Sequence, residues 1–365
     1  MKKLLLLPAF IFLAATAMAQ LHSFVVSGMV TDANSNMPLQ AASVFAQNTT
    51  TGTVTDASGK FTLQLANGGY DLIISFTGYE TYNKRISTND DADKNLLVQL
   101  KPKEKSLEEV SIKSNNEVKD GWQQYGNFFT EQFIGKTANS SVCSIKNKEV
   151  LKFYFSKKRN RLKVLADEPL LIENPALGYV IKYTLDSFTY DYTNTNSQYA
   201  GYPLFEEMAS TDEALKSSWV AARKKAYQGS ILHFMRSIYQ QQLKQNGFEI
   251  QFLVKINNAD TGIRLGNFYG AINYAKDDST GIASFMPNQP DMAVLFTTEK
   301  PDAAYLLANA DAASNFQLSI INITQGELIA IEQNGFYYDQ NDMLITGYWA
   351  WEKMADMLPY DYRAE

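Results

Sequence analysis

Regular alternation of apolar and polar residues marks the first hundred positions of the chain. Apolar side chains occupy every second position at residues 61–65, and the same period recurs at residues 24–30 and 70–76. A period of two is typical of strands with one buried face. Turns rich in Gly, Asn and Asp bound the runs, at residues 32–36, 56–59, 67–69 and 78. The pattern predicts a small antiparallel β-sandwich of about seven strands over residues 22–100.

Two groups of acidic residues in this region are interpreted as turn and loop residues. Asp56 and Gly59 are predicted to shape a tight turn, through hydrogen bonds from the backbone to the carboxylate and a positive φ at the glycine. Calcium ligation by Asp56 is the alternative. Asp90, Asp91 and Asp93 are predicted to form a solvated loop, because a calcium site needs six or more converging oxygen atoms.

Several short motifs occur in a defined order along this region. They are Gly28-x-Val30-x-Asp32, Pro38-Leu39, Ala42-Ser43-Val44, a Thr-rich run ending in Gly59-Lys60-Phe61, and Ser75-Phe76-x-Gly78-Tyr79. The order resembles the carboxypeptidase regulatory-like domain, which has a transthyretin-like sandwich fold and also occurs at the N-terminus of TonB-dependent nutrient receptors of Gram-negative bacteria. The resemblance implies an accessory module without peptidase activity of its own.

The composition changes after a polar linker at residues 101–117, and the remainder, residues 118–365, is predicted to be a larger mixed α+β domain. Aromatic residues at helical spacing predict an amphipathic helix over residues 120–134. Ser210 and Glu213 have the spacing of a capping box, and a long helical region is predicted to follow, interrupted at residues 229–230 and ending at residues 246–247.

Strands are predicted elsewhere in this domain, and a short helix halted by Pro359 is predicted near its end. The predicted strands are residues 153–155, 179–185, 248–256, 267–274, 316–323 and 328–333. The aromatic tract at residues 188–202 is interpreted as a hairpin, with a sugar-stacking face as the alternative. Segments at residues 139–147, 173–179, 229–236 and 347–362 together resemble a group of exported proteins that pair a regulatory-like sandwich with such a C-terminal region. That resemblance transfers no catalytic residue.

The N-terminal residues have the pattern of a secretory signal peptide. Lys2 and Lys3 precede an apolar run at residues 4–15 and a small-residue pattern at residues 17–19, so residues 1–19 are predicted to be removed on export. No later run reaches the length of a membrane-spanning helix, and none is predicted. A single cysteine, Cys143, excludes an intramolecular disulfide and is predicted to be a small buried residue.

Charge and motifs exclude several classes of function. Loss of Lys2 and Lys3 with the signal peptide changes the net charge from −6 to −8, which argues against nucleic acid or anionic lipid as a partner. A zinc carboxypeptidase needs a His-x-x-Glu pair and a second histidine, whereas this chain has only His22 and His233. Nucleophile-elbow, phosphate-loop, dinucleotide and Cys-x-x-Cys motifs are also missing, so no cofactor or metal is predicted.

Candidate chemistry is confined to a few polar residues of the second domain. On a helix over residues 231–243, His233 and Arg236 share the polar side, outside the packed core, where they would bind an anion or move a proton with Ser230 as partner. The alternative is that His233 caps or hydrogen-bonds a neighbouring loop. The acid pairs Glu206–Glu207 and Glu352–Asp356, the latter one helical turn apart, have the residue types of glycoside hydrolysis.

Two functions follow as hypotheses. The first is an exported, non-catalytic binding or structural protein of the bacterial cell envelope, in the periplasm or associated with the outer membrane or cell surface, whose partner is an unidentified envelope protein or glycan. The second is a hydrolase with a site around His233, Arg236 and Glu206 or Glu207. The hydrolase hypothesis requires His233 and Arg236 to line a concave pocket with a carboxylate in reach.

Overall fold

A computed structural model describes residues 23–88, 95–103, 116–338 and 340–364. The predicted signal peptide, the acids Asp90, Asp91 and Asp93 and most of the predicted linker lie outside these ranges. Three separate clusters of buried apolar side chains organise the described residues. No helix in these ranges is long and apolar enough to cross a bilayer.

The first cluster lies between two sheets, an arrangement that fits a β-sandwich. One sheet has the strand order β4-β1-β7 and the other β3-β2-β5-β6. Strand β1 pairs with β7 in parallel, so the expectation of an entirely antiparallel sandwich is wrong at this pair. The strands are β1 (Ser23–Asp32), β2 (Ser43–Ala46), β3 (Gly52–Val54), β4 (Lys60–Ala66), β5 (Gly69–Ser75), β6 (Tyr82–Ser87) and β7 (Asn95–Leu100).

The turn before β4 forms as its sequence predicts. The Asp56 carboxylate accepts hydrogen bonds from the backbone N–H groups of Ser58 and Lys60, at 2.8 and 2.9 Å. Gly59 has a φ of 73°, a conformation that a side chain would disfavour. The turn interpretation of Asp56 and Gly59 is therefore confirmed.

The second cluster lies between one sheet and helix α1. The long hairpin of β12 and β13 forms one side of this sheet, and β11 and β10 pair in succession with the other side of β12. Phe129 and Phe133 of the helix pack on Phe153 and Tyr183 from the sheet. The elements are α1 (Gly121–Phe133), β8 (Ser144–Ile145), β9 (Leu151–Ser156), β10 (Arg161–Ala166), β11 (Leu170–Asn174), β12 (Tyr179–Asp191), β13 (Asn196–Glu207) and α2 (Glu213–Tyr227).

The third cluster lies under helix α3 and two further sheets. Their strand orders are β15-β14-β18-β19-β21 and β16-β17-β20. The elements are α3 (Ile231–Tyr239), β14 (Phe248–Ile256), β15 (Ala259–Arg264), α4 (Phe268–Ala271), β16 (Ala275–Lys276), β17 (Ala283–Phe285), β18 (Asp291–Phe296), α5 (Ala303–Ala308), β19 (Gln317–Ile323), β20 (Ile329–Ile331), β21 (Met343–Gly347) and α6 (Tyr348–Trp351).

Two local predictions are wrong for identifiable reasons. The capping residue of α2 is Asp212, whose carboxylate accepts from the N–H groups at positions 214 and 215, so the predicted capping box at Ser210 does not form. Residues 267–274 are not a strand, because the Asn267 side chain accepts from the Gly270 N–H and caps the short helix α4. The helix at residues 120–134 and the hairpin at residues 188–202 are confirmed.

The sandwich is fixed to the rest of the protein through backbone groups. The turn between β2 and β3 reaches the edge of β13, where the Asn48 N–H donates to the Pro203 carbonyl at 2.7 Å and the Phe205 N–H donates to the Thr49 carbonyl at 2.9 Å. The Tyr360 N–H in turn donates to the Asn48 carbonyl at 2.7 Å. We call this meeting of the sandwich turn, strand β13 and the 349–360 segment the junction.

A second set of contacts lies on the opposite strands of the sandwich. The Ser87 hydroxyl donates to the buried carboxylate of Glu332 at 2.9 Å, and the Asn334 amide donates to the Gly69 carbonyl at 3.0 Å. A Cβ atom on Gly69 would lie 2.5 Å from Glu332, so only glycine allows this approach. The sandwich is thus held at two places.

Candidate functional site

A cavity of about 610 Å³ lies at the junction. It takes residues from the sandwich, from both strands of the long hairpin, from α3 and from the 349–360 segment. This volume falls within the range of small-molecule and peptide pockets. The lining includes Tyr199, Ala200, Gly201, Tyr202 and Pro203 on β13 and Glu352, Lys353 and Asp356 on the opposite wall.

One wall of the cavity is the edge of strand β13. Five consecutive residues, 199–203, line it. Successive side chains of a strand point to opposite faces, so an unbroken run of lining residues indicates that the cavity lies against the backbone edge. On its other side β13 is paired with β12 along its whole length. The cavity therefore faces the edge that β12 leaves open.

The opposite wall carries the carboxyl group of Glu352. Glu352 is half-buried, and its side chain makes no hydrogen bond or ion pair with any described residue. Burial, reinforced by the negative charges of Asp356, Asp302 and Glu299, raises the pKa of Glu352 well above its ordinary value. The group is consequently disposed to be neutral, or to be ionised only beside a cation.

Asp356, in contrast, is held by hydrogen bonds. The Thr137 hydroxyl donates to it at 2.8 Å and the Asn139 amide at 2.9 Å. These bonds lower its pKa, but burial outweighs them and raises the pKa to about 6. The expectation that Glu352 and Asp356 lie one helical turn apart is wrong, because α6 ends at Trp351 and residues 354–356 form a separate 3₁₀ turn.

Five tyrosines belong to the lining of the cavity. Burial raises the pKa of Tyr183, Tyr199, Tyr202 and Tyr360, and it raises the pKa of Tyr337 to about 12. All five therefore stay neutral at physiological pH and offer hydroxyl donors and ring faces. The cavity therefore offers hydroxyl groups and aromatic rings to a ligand.

The residues singled out by sequence do not converge on this cavity. Ser230 lines it, but its hydroxyl donates to the Tyr227 carbonyl at 2.7 Å and accepts from the His233 N–H at 3.2 Å, capping α3. The His233 ring packs against Phe248 and Phe296 with centroids 5.0 and 6.0 Å apart. His233 is half-buried, and the two rings that contact it come from strands distant in sequence.

Hydrogen bonding gives His233 a local structural role. Its Nδ1 accepts from the Gly229 N–H at 3.2 Å, which is the loop contact expected as the alternative to catalysis. Burial and the nearby Arg236 charge lower the pKa of His233 to about 4, so the ring is neutral at pH 7.

Arg236 is hydrogen-bonded to three backbone carbonyls. Its guanidinium donates to the carbonyls of Asn334, Tyr360 and Tyr362, each at 2.9 Å. These bonds tie α3 to the 360–362 segment. Arg236 therefore has a structural role, since its guanidinium donates to backbone carbonyls of the same protein.

The two neighbouring acids of β13 point to separate partners. Glu206 pairs with Lys182 across the hairpin, and Glu207 pairs with Arg223 of α2 at 2.8 Å. Neither contacts His233 or Arg236. Ser230, His233 and Arg236 thus lie together on α3, whereas Glu206 and Glu207 pair with residues elsewhere.

Cys143 is less buried than its sequence context predicts. Cys143 is half-buried against the second cluster, and burial raises its thiol pKa to about 12. Across the described ranges, no group of three or more His, Cys, Asp and Glu side chains is arranged to hold a metal ion.

Comparison with known proteins assigns the first part of the chain to a family. Residues 26–112 match the CarboxypepD_reg-like domain. Over 118 residues the chain is 36% identical to the TonB-dependent receptor SusC of Bacteroides thetaiotaomicron, a match that covers 32% of this chain and 11% of that receptor. The likeness is therefore limited to a small part of the receptor.

Solved structures give only remote similarity. A putative membrane-associated protein of unknown function from Bacteroides fragilis is 10% identical, with 88% of this chain and 96% of that chain covered and a TM-score of 0.18. A 9R-lipoxygenase from Cyanothece is also 10% identical, with 60% and 48% covered and a TM-score of 0.15. TM-scores of this size are too low to imply a common fold.

Proposed function

We propose that the protein is an exported, non-catalytic binding or structural protein of the bacterial cell envelope. The carboxypeptidase regulatory-like match over residues 26–112 supports this, as does the similarity of one segment to a TonB-dependent receptor. In this proposal the sandwich is transthyretin-like and is docked on a larger α+β domain covering residues 118–365. The protein resides in the periplasm or is associated with the outer membrane or cell surface.

The observation that carries the proposal is the way the sandwich is held. Backbone hydrogen bonds at Asn48 and Thr49 and a buried side-chain contact at Glu332 fix it to the following region. A module held at two places presents one continuous surface with its neighbour. Such a unit suits binding of an envelope protein or glycan across both parts.

The geometry gives no comparable support to the hydrolase hypothesis. His233 is packed between aromatic rings, and Arg236 donates to three backbone carbonyls. A general base must reach the proton it removes, and neither side chain is directed at a carboxylate.

Export is tested with the full chain expressed in a Gram-negative host. Fractionation with and without external protease should recover the protein in the periplasm or at the outer membrane or cell surface. Recovery in the cytoplasm would contradict the proposal.

The binding role is tested by retention of envelope components on the immobilised protein. Gly69→Trp should loosen the sandwich, since any Cβ there meets Glu332 at 2.5 Å, whereas Gly266→Trp has open space and serves as the matched control. A component retained by the wild type and Gly266→Trp but lost by Gly69→Trp is expected. Equal retention by all three would show that the docked sandwich has no part in binding.

A further inference from the structure

We infer that the junction cavity binds an extended peptide carrying Lys or Arg, which adds as a strand to the open edge of β13. The inference rests on the proposed binding function and names the class of its partner. Three features support it: the open strand edge, the pairing already present on that edge and the charges around Glu352.

The open edge carries backbone groups directed at the cavity. The Pro203 carbonyl and the Phe205 N–H point away from β12, since both bond to the sandwich turn. Backbone groups of a strand alternate in direction from residue to residue, so those of Gly201 and Tyr199 point the same way. The bulge in this ladder adds a residue to β12, between Leu185 and Ser187, and so leaves the alternation in β13 intact.

The same edge already accepts a strand-like segment. Thr49 of the sandwich turn forms a parallel bridge with Leu204. This pairing covers one end of the β13 edge, and residues 199–201 continue it along the cavity. A peptide placed there would extend an interaction that the protein makes with itself, which is the mode of β-strand addition.

The size of the cavity suits a short extended segment. Five residues of a strand span roughly 17 Å, and five residues of β13 line the cavity. At each end, both walls contact a third element, the sandwich turn at one end and helix α1 at the other. Tyr360 contacts Asn48 at one end, and at the other Tyr199 packs on Phe133 while the Lys353 ammonium donates to the Gln132 carbonyl.

The charges in the cavity favour a cationic side chain. Among the described residues Glu352 has no hydrogen-bond or ion-pair partner, and the neighbouring charges that shift its ionisation, those of Asp356, Asp302 and Glu299, are all negative. The two cations in the lining are engaged elsewhere, Lys353 by the Gln132 carbonyl and Arg85 over the Tyr338 ring at 4.4 Å. A Lys or Arg of the peptide would therefore pair with Glu352, with Tyr rings beside its aliphatic stem.

The test uses arrays of eight-residue peptides with Lys, Arg, Glu or Ser fixed at a central position and the other positions varied, probed with the full-length protein. Lys and Arg peptides are expected to be enriched over Glu peptides. For the best binder, Glu352→Gln should weaken binding about tenfold, the factor that corresponds to about 1.4 kcal/mol. Glu206→Gln, which removes an exposed carboxylate of β13, is the matched control and should leave binding unchanged.

Strand addition is tested separately from charge. Methylation of alternate backbone nitrogens of the peptide should abolish binding in one of the two alternating patterns only. Ala200 lies at an exposed position of the lining. Ala200→Trp should abolish peptide binding by filling the cavity, while the thermal unfolding midpoint stays within a few degrees of wild type.

Each outcome bears on one claim. Absence of any bound peptide, or equal binding of Lys and Glu peptides, overturns the inference, and so does indifference to both methylation patterns. None of these results would contradict export or the retention of envelope components. The proposed function is tested separately, by fractionation and by retention on the immobilised protein.

Discussion

The substitution Asp356→Asn tests the electrostatics of the cavity. In the folded protein burial raises the Asp356 pKa from 3.8 to about 6, so the folded state binds a proton that the unfolded state has released between pH 4 and pH 6. Stability is therefore lost as pH rises through this interval. A pKa difference of about two, at about 1.36 kcal/mol each, corresponds to a loss of about 3 kcal/mol in the wild type.

The expected result is a difference that grows with pH. The variant carries no charge at this position, so its thermal unfolding midpoint minus that of the wild type should increase from pH 4 to pH 7. For a chain of 365 residues with an unfolding entropy of about 2.1 cal/mol/K per residue, about 3 kcal/mol corresponds to about 4 °C. Differential scanning fluorimetry and urea unfolding at each pH measure it.

Comparison at each pH cancels the contributions of groups common to both proteins. Glu206→Gln is the control, because it removes an exposed carboxylate. A constant difference between wild type and Asp356→Asn across this pH range would refute the reasoning. A difference of opposite sign would show that hydrogen bonds to the carboxylate outweigh its burial.

Three further outcomes are expected. Arg236→Met should lower the free energy of unfolding by about 2–4 kcal/mol, because three backbone carbonyls lose a charged donor, whereas wild-type stability in urea unfolding would contradict this. Gly178→Ala should destabilise more than Gly326→Ala in the same assay, since both have positive φ but only Gly178 would place a Cβ 2.3 Å from Trp219. The His233 pKa is lowered to about 4 in the folded state, so the protein should lose stability as pH falls from 6.5 toward 4. His233→Phe should remove this loss in thermal unfolding. An unchanged pH profile in the variant would contradict the prediction.

Local features of the fold were accessible from sequence because their causes are local. The turn at Asp56 follows from one carboxylate and the glycine three positions later, and helix α1 follows from aromatic spacing. Residues 267–274 mislead because their aromatic residues fit strand and helix spacing alike, and the deciding contact is the Asn267 cap.

The candidate site was largely inaccessible from sequence because its parts are distant. Glu352 and Asp356 appear in the sequence as one chance acid pair among many, and nothing nearby shows that β13 lies opposite. His233 occupies the polar side of α3 on a helical wheel, yet Phe248 and Phe296 cover it from other strands. Helix periodicity reports which side of a helix is apolar and carries no information on what packs against the polar side.

The junction joins residues that are synthesised at very different times. The Thr50 N–H and hydroxyl donate to the Asp361 carboxylate, 311 positions later in the chain. At roughly 5–20 residues per second, the ribosome needs about 15 to 60 s to make the intervening segment. Throughout that time the sandwich lacks its hydrogen bonds to Asp361. Until Asp361 has been synthesised, the folded sandwich must be stabilised by its own core or by a chaperone.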